Sequence, residues 1–230
     1  MATQERAIQT RRTVLEAAAA VFGEYGYERA SLAEILKRAG VTKGALYFHF
    51  PSKEALALAV INEQTHRSAP SPTEKGLQAA IDLTHDVAHA LGHDVLLQAG
   101  IRLTIEGSFD SPVPAPYHAW SQRCVELFTE GKDRGEVLPQ VVPEEVAELL
   151  VGSFTGIQLL SQVLTGRVDL PERITKLWRY LLPGIAAPGA LAHLKPEGTE
   201  TSGARGTAQP PAAHRPRKTA PRRQAGGRGR

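Results

Sequence analysis

Thr42-Lys43-Gly44-Ala45 joins one ammonium donor to two residues with almost no side-chain volume. At the first turn of a helix, that combination lets backbone approach a partner closely while Lys43 reaches an acceptor such as guanine O6 or N7. Tyr47 and His49 follow, each an apolar ring with a polar tip, suited to phosphate oxygens that fix register without reading sequence. Ser52 and Lys53 stand where another helix begins, and free N–H groups, the helix dipole and a lysine together favour an anion. Each has a plainer reading: a solvated first turn for Thr42 to Ala45, ring packing for Tyr47 or His49, an ordinary cap for Ser52. Thr10, Arg11 and Arg12 could reach a phosphate backbone too, although exposed arginines are common on any helix. Leu46, Phe48 and Phe50 are expected in the core.

The elements that position these residues are legible from caps and spacing. Val14, Ala18, Val21, Phe22 and Tyr25 recur at helical intervals and predict a helix from about Ala7 to Tyr25, closed by Gly26. Ser31, with Glu34 three residues on, forms a capping box for a second helix whose inward stripe is Leu32, Ile35, Leu36 and Ala39. Gly40 ends it and supplies a turn. Thr42 caps a third helix to about Phe48, and Pro51-Ser52 opens a fourth to about His66. Two short helices about a tight turn are the layout of a helix-turn-helix, whose second helix lies in the major groove of duplex DNA.

Ser68-Ala-Pro-Ser-Pro-Thr interrupts the pattern. Beyond it, helices are expected at 73–92, 94–106, 116–134, 143–165 and 170–182, with no strand, since no segment sustains period-two alternation. The fold class is therefore all-α. Its divisions are a helix-turn-helix domain over 1–67, a helical ligand-binding and dimerisation domain over 68–194, and a disordered basic tail over 195–230. Nine Lys/Arg against Glu197 and Glu200 give the tail +7, so residues 1–194 carry −4 of the overall +3. The basic balance belongs to the tail, and a claim of nucleic-acid binding by the folded body must rest on the motif.

Cys124 is the only cysteine, which excludes an internal disulfide and fits a reducing compartment. It reads as a small buried hydrophobe. No apolar run approaches the ~18 residues of a membrane span, so no membrane partner is expected and the location is read as cytoplasmic. His85 and His89 share a helix face without a third ligand, so neither metal nor other cofactor is expected. No nucleophile–base pair and no glycine-rich phosphate loop is visible, which argues against an enzyme. The apolar stripes of 143–165 and 170–182 could pack against their copies in a second subunit; Phe154, Leu164, Trp178 and Leu181 are the candidate dimer contacts. Trp120 is the candidate ligand wall, one flat apolar face with one N–H donor, and Thr155 and Gln158 are candidate polar anchors.

Gly44-Ala-Leu-Tyr-Phe-His-Phe-Pro-Ser-Lys-Glu54 resembles the signature of the tetracycline-repressor family of bacterial regulators, over residues 8–62. The resemblance implies an all-α homodimer with an N-terminal DNA-binding domain and a larger ligand-binding domain. It also implies that Ser31, a cap on local grounds, contacts phosphate, as do its companions above. Ala99-Gly-Ile-Arg-Leu-Thr and Pro116-Tyr-His-Ala-Trp120 are similar to the γ-butyrolactone autoregulator receptors of streptomycete-type actinobacteria. On that resemblance the partners are a double-stranded palindromic DNA operator and a small γ-butyrolactone-like effector, and Trp120 packs on the lactone ring. Two rivals stand beside a ligand-released repressor: a pseudo-receptor sensing an antibiotic or biosynthetic intermediate, and a non-specific architectural DNA-binding protein driven by the tail.

Overall fold

The computed structural model describes residues 2–67, 75–106 and 115–199, with the side chains of 2–3, 64–67 and 115–116 left aside. The described residues form helices joined by turns; their one β contact is an isolated bridge between Val137 and Ala186.

Helix α1 (Ala2–Arg29) is longer than expected at both ends but is broken at Gly26, whose φ of 75° is open to glycine and costly for an L side chain. A Cβ there would also sit 2.8 Å from Glu106 Oε1. Helix α2 (Leu32–Ala39) starts at Ser31, whose Oγ accepts from Glu34 N at 3.2 Å, and stops at Gly40 in the left-handed region. The Glu34 carboxylate is engaged by Arg38 at 3.0 Å. Helix α3 (Lys43–His49) starts at Thr42, whose Oγ1 accepts from Ala45 N at 3.2 Å. Helix α4 (Lys53–Arg67) starts after Ser52, whose Oγ accepts from Ala55 N at 3.0 Å. Each cap satisfies one of the donors that a helix start leaves unpaired.

The remaining helices are α5 (Gly76–Ala90), α6 (Val95–Glu106), α7 (Ala115–Asp133), α8 (Pro143–Thr165), α9 (Leu170–Ile185) and the single turn α10 (Pro188–Leu191). They bury two clusters. One joins α1 to α4 through Val14, Phe22, Ile35, Leu46, Phe50 and Leu56, and is completed by Leu96, Ala99 and Leu103 of α6. The other joins α5 and α7 to α9 around Leu77, Ile81, Phe128, Phe154 and Trp178. Helix α6 thus lies beyond the Ser68 break in sequence yet fills the core of the N-terminal helices. It is also bolted to α1 by polar contacts: Arg102 donates to Gly23 O at 2.6 Å, and Tyr27 N donates to Glu106 Oε2 at 2.9 Å.

Three expectations are corrected. Residues 195–199 do not begin a structureless tail. Lys195 N donates to Gln78 Oε1 at 2.9 Å, Thr199 N donates to Asp82 Oδ1 at 2.8 Å, and His85 Nε2 lies 2.9 Å from Pro196 O. Buried polar groups on α5 compensate for the absence of bulky apolar side chains; residues 200–230 lie outside the described residues. Second, α8 is long and apolar enough to cross a membrane by length and composition. Gly, Ser, Thr and Gln punctuate it, so no uninterrupted apolar run reaches that length, and core helices of soluble proteins share this composition. Third, α8 is not enclosed on all sides. Val146, Leu150, Phe154 and Gln158 face the subunit core, whereas Leu149, Leu160, Val163 and Leu164 are exposed. Its apolar circumference serves two surfaces, and only one is covered within the subunit.

Candidate nucleic-acid interface and ligand site

Helix α3 is held by Leu46 and Phe50, both buried, and Arg11 of α1 lies over the Phe50 ring at 5.2 Å. This inward anchor sets the outward face. Thr42, Lys43 and Gly44 are exposed, and the space above Gly44 is open. Tyr47 is exposed, with Lys43 Nζ 5.7 Å from its ring centre. Ala45 and His49 are half-buried at the edge of the same helix. Phe48, expected in the core, is 80% exposed and meets the His49 ring edge-on at 5.0 Å. The reason is angular: with Leu46 and Phe50 one turn apart on the inner side, residue 48 lies about 200° round from Leu46. Helical phase, and not aromatic type, therefore decides that Phe48 stands beside Tyr47 on the outer face.

Ser31 and Ser52 are exposed at the starts of α2 and α4, with their hydroxyl oxygens committed as acceptors to their own helices. Lys53 does not project freely: its ammonium donates to Glu28 O at 3.2 Å and sits 4.5 Å above the Tyr27 ring. It fastens α4 to the end of α1. Arg12 pairs with Glu16 on its own helix at 2.8 Å. What the local geometry can do is present one lysine, small residues and two exposed rings on the outer face of a short helix, the arrangement that suits a groove about 12 Å wide.

The second site lies where α7 crosses α8. Trp120 meets Phe154 edge-on, with ring centres 4.8 Å apart and planes at 83°. Its Nε1 is buried and has no hydrogen-bond partner. Gln158, one turn beyond Phe154, is buried; its Oε1 accepts from Arg167 Nη2 at 3.1 Å, while its Nε2 is buried without a partner. Thr155 Oγ1 donates to Val151 O at 2.8 Å in its own helix and lies 3.5 Å from Tyr117 Oη. The structure thus groups Trp120, Phe154 and Gln158 on one side of α8, with the Thr155 hydroxyl spent locally. Buried N–H groups without partners are rare in proteins, and each calls for an explanation.

The candidate dimer contacts divide. Leu164 is exposed, together with Leu160, Val163, Val168 and Tyr180. Leu181 is half-buried against the core. Phe154 and Trp178 are not surface residues: both are buried, and Trp178 Nε1 donates to Thr84 Oγ1 at 2.8 Å. Their ring volume is used where α5, α8 and α9 meet, not at the surface. The spacing 160, 163, 164 on the side of α8 opposite Phe154 and Ser161 was the signal that could have found the exposed set. Cys124 is buried, and burial pushes its thiol up to about 12, so the reactive thiolate is scarce at neutral pH. No group of three or more His, Cys, Asp or Glu that could hold a metal ion occurs among the described residues.

A capped helix-turn-helix head packed on α6, joined to a helical body that holds two buried, unpartnered N–H donors, has the architecture of a DNA-binding regulator. Residues 14–60 match the bacterial regulatory proteins of the tetR family and residues 74–187 match a tetracyclin repressor-like C-terminal domain; the chain belongs to the TetR family. It is 49% identical over 198 residues to the A-factor receptor protein of Streptomyces griseus, covering 86% of this chain and 71% of that one. It superposes on the crystal structure of the full-length TetR regulator TylP of Streptomyces fradiae with a TM-score of 0.74 at 44% identity, over 86% of this chain and 96% of the other. An ArpA-like γ-butyrolactone receptor matches with a TM-score of 0.68 at 31% identity, over 87% of this chain and 97% of that one. The protein is a ligand-responsive, DNA-binding transcriptional repressor of all-α fold.

Proposed function

We propose that the protein is a homodimeric repressor released from a palindromic operator by a γ-butyrolactone-type effector. The observation that carries the effector assignment is Trp120: a broad apolar wall against Phe154 whose Nε1 donor is buried and unpartnered, in a chain 49% identical to an A-factor receptor protein. A lactone with an aliphatic chain supplies an apolar body for the wall and oxygen acceptors for the donor. Gln158 and Thr155 flank the same stretch of α8. On the DNA side, Lys43 reads base edges across the small residues Gly44 and Ala45 capped by Thr42. Tyr47, His49, Ser31 and Ser52 set the frame against phosphates, and Lys53, with one ammonium donor held by Glu28 O, turns its remaining donors to the same backbone. Leu164, with Leu160, Val163 and Val168, meets its copy in the partner subunit.

The two ends communicate through α6, whose apolar residues complete the head's core and whose Arg102 and Glu106 grip the end of α1. An effector that binds better to a body conformation in which the two heads no longer match the half-sites shifts the population away from DNA. The protein acts by binding and not by turnover, in the cytoplasm where the bacterial operator lies.

A mobility shift on DNA from upstream of the protein's own gene tests this, with and without a long-chain γ-butyrolactone. Release of the wild type and retention of Trp120→Ala on DNA are expected. Release of Trp120→Ala at the wild-type lactone concentration would overturn the effector site. Release by an antibiotic or its precursor, and not by lactone, would make the protein a pseudo-receptor. Loss of operator and random DNA together as salt rises would mark an architectural protein.

A further inference from the structure

Arg167 is the only described non-glycine residue with positive φ, at 70°, directly after Gly166 at 62°. A glycine would adopt that conformation without strain, so the arginine side chain must contribute something its backbone does not. Its guanidinium is half-buried and converges on Gln158 Oε1 through Nη2 at 3.1 Å and Nε at 3.4 Å. A guanidinium can only donate, so the group facing it must be the amide oxygen. The Gln158 NH2 is thereby turned the other way, into the interior, where it is buried and unpartnered. One turn along α8, across Phe154, Trp120 presents a second buried and unpartnered N–H. Indole nitrogen and amide nitrogen are both donors, and neither can reverse its role while Arg167 holds the amide oxygen.

We infer that Arg167 is a positioning residue for effector binding: it fixes the Gln158 amide so that the site offers donors alone and takes effectors whose buried head is a carbonyl acceptor. The inference rests on the Trp120 site proposed above. It deepens that reading by naming what the site discriminates. A carbonyl oxygen is a strong acceptor for either donor, whereas an ether oxygen is a weaker one and leaves the buried nitrogens poorly satisfied, and sites built around buried hydrogen bonds reject such analogues strongly.

The test uses the full chain and two probes, a long-chain γ-butyrolactone and the cyclic ether of the same size that lacks the carbonyl oxygen, with binding followed by calorimetry and folding by cooperative melting. The wild type should prefer the lactone by at least about tenfold. Gln158→Glu keeps an acceptor for Arg167 but replaces the inward donor with a carboxylate oxygen, and should lose about tenfold or more in lactone affinity. Arg167→Gly relieves the backbone, so its melting temperature should hold or rise. It frees the amide to turn, so the preference for lactone over ether should narrow several-fold; a merely structural arginine would show the reverse, a lower melting temperature and an unchanged preference. Lactone binding by both variants at wild-type strength, with Trp120→Ala still defective, would overturn the inference and leave the site standing. Absence of lactone binding by the wild type would overturn the site itself and the inference with it.

Discussion

The DNA-reading head and the effector-binding body solve their polar accounting in opposite ways. In the head, Ser31, Thr42 and Ser52 each close a helix start three residues away, with donor–acceptor distances of 3.0–3.2 Å. In the body, Trp178 finds its partner in Thr84, 94 residues distant, and Gln158 meets Arg167 across the turn after α8. Trp120 Nε1 and Gln158 Nε2 find none. The head is complete without its ligand because DNA binds its outside. The body keeps two buried donors, Trp120 Nε1 and Gln158 Nε2, without partners, as the effector site proposed above requires.

Experiments can break or sharpen that contrast. The largest effect is expected from Trp178→Ala, which removes the largest fully buried side chain and leaves the Thr84 hydroxyl with only its bond to Ile81 O. Denaturant unfolding should show a loss of about 3–5 kcal/mol, and a loss under 1 kcal/mol would mean the body is not organised around this residue. Placing aspartates at Leu160 and Val163, both exposed on α8, should yield a monomer in sedimentation. Operator affinity should then fall toward the non-specific level, on the order of a thousandfold. A dimer that survives both charges would move the interface elsewhere. Lys43→Ala should cost about 1–3 kcal/mol in operator binding, concentrated at one base position, with lactone affinity unaltered; a uniform loss on all DNA sequences would reduce Lys43 to a phosphate contact.

A pH titration of stability probes the body alone. Burial holds His85 below its ordinary value of 6.5, against the smaller upward pull of the Pro196 carbonyl. The folded state therefore favours the neutral ring. The stability that this contributes is fully present above pH 6.5 and is lost as the pH falls below it, because the unfolded chain binds the proton more readily. The melting temperature should drop between pH 7 and 5, less so in His85→Gln. The smallest effect is expected from ending the chain after Thr199. Operator preference should remain, with weaker binding at low salt only, since a basic segment acts through counterion release. Ending it after Leu194 should be worse, because the contacts of Lys195, Pro196 and Thr199 with α5 go with it.

The legibility of the chain follows the same division. The limits of α2, α3 and α8 are written in Ser31, Gly40, Thr42, Pro143 and Gly166, because caps and breakers act within a turn. The recognition helix could be placed, but not the exposure of Phe48, which depends on the direction in which Leu46 and Phe50 anchor it. Trp120 could be singled out by type. Its unpartnered nitrogen could not, since that depends on what α8 brings opposite. The burial of Phe154 and Trp178 within the subunit was hidden for the same reason: a large apolar residue on a wide stripe does not reveal which neighbour covers it.

By itself the sequence determined where helices start and stop, which short helix follows the turn, and which side chains that helix can offer to DNA. Those are consequences of backbone hydrogen bonding and helical period over three or four residues. Only the tertiary structure decided that α6 belongs with the head, that residues 195–199 clasp α5, and that Arg167 meets Gln158 Oε1. Each of these depends on a meeting of side chains from separate elements, and burial there leaves a polar group either paired or waiting for a ligand.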